Sequence, residues 1–141
     1  MNKKLFLNRY LLYVILSFLT VPIVIFIFKS IQPKNLAAIF AGSTFLSLSL
    51  FVIFYEFTIN KAKIIFSLSF WGAFLFMMIF SIPMLFTRIM NYDTAFENLE
   101  ILLMPAPIFH KASNTGFLIM MGLFFINWIL ELKKKKALLN Q

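Results

Sequence analysis

Four apolar runs, at residues 10–28, 36–55, 64–87 and 115–132, leave this chain few ways to fold. The first reads YLLYVILSFLTVPIVIFIF, and the last ends against Lys133, Lys134, Lys135 and Lys136. About 20 helical residues cross the hydrocarbon core of a bilayer. Lipid offers no partner to backbone N–H and C=O groups, so a run buried in it must satisfy them internally, as a helix. The expected fold is therefore an all-α integral membrane protein, a single domain of four transmembrane helices. Pro22 and Pro83 fall inside spans, where local bends are expected.

Composition agrees. Apolar residues make up 62% of the chain and charged residues 13%, against about 25% charged in a typical soluble domain. Too little polar surface remains to coat a globule in water. The formal charge of +8 does not point to nucleic acid, because the basic residues sit at the ends of apolar runs and not in aromatic-interleaved patches. Cysteine is absent, which excludes a disulfide framework and a thiolate site.

The N-terminal MNKKLFLNRY followed by an apolar run imitates a secretory signal. The run is too long for an h-region, however, and is followed by IFKSIQP, with no small-x-small cleavage site. It reads as a retained helix. With the N-terminus inside, Lys3, Lys4, Arg9, Lys61, Lys63 and Lys133 to Lys136 lie inside, and Lys29, Lys34, Arg88 and Lys111 outside. That asymmetry places both termini in the cytoplasm and the 88–114 loop outside. The expected location is a cell membrane, of the bacterial inner-membrane kind, crossed several times.

The 88–114 loop holds Asp93, Glu97 and Glu100, three of the five acidic residues, and His110, the single histidine. Thr94-Ala-Phe-Glu97 fits a capping box, in which hydroxyl and carboxylate each satisfy an orphan amide. A short amphipathic helix is expected to run from there to about Met104, ended by Pro105-Ala-Pro107. Its acids would share one side, and Phe96, Leu99 and Leu103 another. Ile101 breaks the pattern. On this reading the acids form a solvated face on the side where positive charge is disfavoured. The sharper alternative is a cation site of Asp93, Glu97, Glu100 and His110, although no ligand motif such as HExxH supports it. Arg88, His110 and Lys111 would anchor at, or recognise, lipid headgroups. Phe96, Leu103, Ile108 and Phe109 would be apolar contacts to a partner.

No ionisable residue lies in the middle of a span, where it would mark an ion pathway. Glu56 and Glu131 fall at cytoplasmic ends, where hydration or nearby lysines would serve them. Ala38 and Gly42, and Ser43 and Ser47, have the four-residue spacing that lets helices approach closely, with Gly72 on span 3 to face them. Asn127 is expected to hydrogen-bond a neighbouring helix.

No phosphate loop, nucleophile elbow or serine–histidine–carboxylate set is present, so neither a catalytic residue nor a cofactor is assigned. The cues of four-helix drug exporters, fluoride channels and polyprenyl-lipid flippases are missing; span 1 lacks the exporters' glutamate. The leading expectation is a structural or accessory subunit of a membrane assembly, with lipid and a membrane-protein partner or a second copy as its contacts. A small oligomeric transporter or channel is the alternative. An enzyme or binder acting on lipid headgroups at the outer surface stands third.

Overall fold

A computed structural model describes residues 8–59 and 61–140. Lys3 and Lys4, which enter the charge asymmetry, lie outside the described residues. Among the described residues, four helices are long and apolar enough to cross a membrane, at Arg9–Ser30, Lys34–Ile59, Leu68–Met90 and Ala106–Leu139. The chain is a multi-pass membrane protein. We label α1 (Arg9–Ser30), α2 (Lys34–Ile59), α3 (Leu68–Phe76), α4 (Ile82–Met90) and α5 (Ala106–Leu139). A π-helical turn, Met77–Ser81, joins α3 to α4 in one span.

Side chains cap the starts of two of these helices. The Asn8 side chain accepts the Leu11 amide at 3.1 Å and opens α1. Ser67 does the same for α3, accepting the Phe70 amide at 3.2 Å. This cap corrects the expected start of span 3. Residues 64–66 belong to a 3₁₀ segment, Lys61–Phe66, in which Phe66 is 84% exposed. Pro83 lies in the first turn of α4, where its missing N–H does least harm. The Ile82 amide reaches back five residues to the Met77 carbonyl, so the expected bend takes the form of a π-turn just before the proline.

The 88–114 region departs most from expectation. In place of an amphipathic helix there is a 3₁₀ turn, Phe96–Asn98, then an antiparallel hairpin of β1 (Glu100–Ile101) and β2 (Met104–Pro105). Thr94 makes no cap, because Ala95 occupies that position. Leu99 and Ile101 are buried and Glu100 between them is exposed, a period of two. Ile101, the misfit in a helical reading, is the most buried residue of the hairpin. Pro105-Ala-Pro107 begins α5 where it was expected to end a helix, since proline is favoured at the cap and first turn. The last helix thus starts nine residues before position 115.

The main core gathers Tyr13, Val52, Phe76, Phe117, Met120 and Phe124 from all four spans. Within it, the Phe117 ring lies 5.0 Å from that of Phe45 and 5.8 Å from that of Phe76, centroid to centroid. Leu99, Ile101, Ala106 and Phe109 make a second, smaller core that caps one end of the bundle, with Met84 and Phe80 against it. That end is called here the loop face and the opposite end the tail face.

Candidate functional sites at the two ends of the bundle

On the tail face, α1 and α2 share a buried ion pair. Arg9 Nε donates to Glu56 Oε1 at 2.7 Å, and Tyr13 Oη donates to the same oxygen at 2.9 Å. A terminal Arg9 nitrogen also donates to Tyr10 Oη at 2.7 Å, while the guanidinium lies over the Tyr10 ring. Glu56 is fully buried, and its Oε2 has no partner among the described residues. This corrects the expectation that hydration or lysine serves Glu56. Close packing of α1 on α2 excludes water, and Arg9 supplies the counter-charge from one turn above Tyr13. A cavity of about 330 Å³ opens beside the pair, bordered by Arg9, Lys63, Lys134, Glu131, Ser67 and Asn127. Asn127 Nδ2 donates to Ser69 Oγ at 2.8 Å, which ties α5 to α3.

The loop face brings together three residues that the sequence marks for headgroup or partner contact. The Arg88 guanidinium sits 4.3 Å above the centre of the Phe96 ring, and Phe96 meets the His110 imidazole edge-on at 6.0 Å. Each comes from a different element: α4, the 3₁₀ turn and α5. Around them is a cavity of about 250 Å³, which Lys34 and Asn35 of α2 also line. Lys34 Nζ donates to the Phe28 carbonyl at 2.8 Å, and Asn35 Nδ2 to the Tyr92 carbonyl. Neither residue stood out in the sequence. Each sits in the first turn of α2, just after the short joint that follows α1, and has no motif to mark it.

Other marked residues lie apart from this cluster. Leu103 is 96% exposed at the hairpin tip, and Lys111 is exposed on α5. Asp93, Glu97 and Glu100 are exposed. No group of three or more His, Asp or Glu side chains able to hold a metal occurs among the described residues. The hairpin fold separates the three carboxylates that a helix would have stacked.

The small residues divide their work differently from the expected single face. Gly42 packs on Leu85 of α4, and a β-carbon there would stand 3.3 Å from that side chain. Gly72 faces α5, where a β-carbon would come within 3.0 Å of Leu123. Ala38 borders the loop-face cavity. The Ser43 and Ser47 hydroxyls donate to carbonyls four residues back on their own helix, and Ser47 is exposed. The closest approach, missed in the sequence, is at Gly116, where a methyl group would overlap the Phe80 ring.

No protein-family model, curated protein or solved structure matches the chain.

Proposed function

We propose that this protein is a non-catalytic accessory subunit of a membrane assembly. Both termini face the cytoplasm, and the outer hairpin docks a membrane-protein partner. The observation that carries this reading is the hairpin tip. Ile101 pairs with Met104, so Leu102 and Leu103 alone make the turn, with φ of 51° and 64°. Such a two-residue turn favours Asn-Gly, because left-handed backbone crowds an ordinary side chain. The cost is about 1–2 kcal/mol per residue. Two leucines stand there all the same, 67% and 96% exposed, on a hairpin anchored by its own small core. Strained backbone that presents apolar surface is a common property of binding sites.

The experiment is purification of the full chain in mild detergent, with molar mass by light scattering and co-eluting proteins identified by mass spectrometry. The double substitution Leu102→Asn/Leu103→Gly relieves the turn. It is expected to hold or raise thermal stability while a stoichiometric partner is lost. A partner retained by that variant, or a wild type that elutes alone as a monomer, overturns the reading.

The alternative, a small oligomeric transporter, draws support from Glu56, a fully buried carboxylate with one oxygen unpartnered among the described residues, whose ion-pair partner Arg9 lines a polar cavity. Solute or proton flux in liposomes holding only this protein, abolished by Glu56→Gln, would favour it.

A further inference from the structure

We propose that the loop-face cavity and the groove between α1 and α5 bind one anionic phospholipid. Arg88 and Lys34 hold its phosphate, and an acyl chain lies in the groove. The cavity is lined by Arg88, Lys34 and His110 together with Asn35, and no acidic side chain is among the described lining residues. Arg88 is half-buried, and its Nε is enclosed without a hydrogen-bond acceptor among the described residues. An arginine that merely snorkels toward headgroups would place its whole fork in water. This one is held over Phe96, and an enclosed cationic donor without an acceptor is costly unless an anion completes it.

The chemistry of the lining selects the anion. Arginine presents a planar fork suited to phosphate oxygens, and lysine adds a compact point charge. Lys34 spends one of its three N–H groups on the Phe28 carbonyl, which fixes its position and leaves two free to donate. His110 stands at the rim and can donate from one ring nitrogen.

The apolar half selects a lipid over free phosphate. A groove of about 430 Å³ runs along α1 and α5, lined by Val21, Val24, Ile25, Phe117 and Leu118 among others. Phe28 and His110 border both this groove and the cationic cavity, so the two spaces adjoin. A free phosphate would fill the first and leave the second unused. A phospholipid matches both, with its head among cations and its tail among aliphatic and aromatic side chains. The exposed acids Asp93, Glu97 and Glu100 line neither space.

The test uses the full chain in a neutral detergent, titrated with phosphatidylglycerol, phosphatidylcholine or glycerol phosphate, with bound lipid counted by native mass spectrometry. Phosphatidylglycerol should bind one-to-one at least tenfold more tightly than phosphatidylcholine, and millimolar glycerol phosphate should not displace it. Arg88→Gln and Lys34→Gln should each weaken it tenfold or more. Leu118→Trp, which fills the groove, should weaken it without touching the cations. Should Arg88→Gln fail to fold, the Lys34 and Leu118 variants still decide the matter. Equal affinity for both lipids, or tight lipid binding by all three variants, overturns the proposal. Glycerol phosphate binding as tightly as the lipid, with Leu118→Trp unaffected, makes the cavity a free-phosphate site and also overturns it.

Discussion

Arg9 and Glu56 meet at 2.7 Å across 47 positions of sequence, and the carboxylate is fully buried. Removing one partner of a buried pair strands a charge, at about 3–5 kcal/mol; removing both together costs far less. Arg9→Met should therefore destabilise the protein strongly, and Arg9→Met/Glu56→Met should recover most of the loss. Thermal unfolding of the single and double variants in one detergent measures the coupling. Additive losses would mean that the two side chains act independently.

Gly116 and Gly122 lie on the same helix with opposite surroundings. A β-carbon at Gly116 overlaps the Phe80 ring, whereas at Gly122 nothing lies within 4 Å. Gly116→Ala is expected to cost about 1–3 kcal/mol through overpacking. Gly122→Ala should be neutral or stabilising by up to about 1 kcal/mol, from helix propensity. Melting temperatures that order the other way would contradict the packing of α5 on the α3–α4 span.

Thr94 sits where a helical cap would be worth about 1 kcal/mol. The structure gives it no such role, so Thr94→Ala should be nearly silent. Ile101 is fully buried in the hairpin core, and Ile101→Ala should cost about 2–5 kcal/mol. Neutralising the exposed Asp93, Glu97 and Glu100 together should change stability little. Stability of the triple variant measured with and without divalent cations checks this last point, because a metal-dependent loss would restore the carboxylates as a site.

The proposed topology, argued from the distribution of lysines and arginines, puts the 88–114 loop outside the cell. Single cysteines at Asn91 and Asn98 in this cysteine-free chain should react with an impermeant maleimide in intact cells, and one at Asn140 should not. The reverse pattern would invert the topology.

The spans were readable because lipid leaves an apolar run of that length one conformation, and the helices follow the runs to within a turn or two at most ends. The depth of Glu56 was not readable. A charge at the edge of an apolar run looks like the end of a span, and the arginine that neutralises it stands on another helix. In the loop, Phe96, Leu99 and Leu103 fit a helical period while Leu99 and Ile101 fit a strand. Over so few residues only the tertiary contacts of Ile101 and Ala106 decide between them. Likewise Pro105 and Pro107 mark a helix boundary without saying on which side the helix lies. Arg88, Phe96 and His110 were each recognisable as interfacial, but Lys34 joins them only through the turn that follows α1.

The π-turn at Met77–Ser81 acts as a phase shifter. Fitting one extra residue into a turn rotates all that follows by about 100° relative to an unbroken α-helix, at 3.6 residues per turn. Leu85 then abuts Gly42, and Arg88 then lies over Phe96. Deleting a single residue from that turn would restore regular winding and leave the upstream face on Phe76 and Gly72 as it is. It would swing the arginine roughly a quarter of a revolution away from the aromatic ring. The span thus behaves as two angular settings joined by a clutch: the half near the tail is keyed to the core, and the half near the loop is keyed to the cationic cavity.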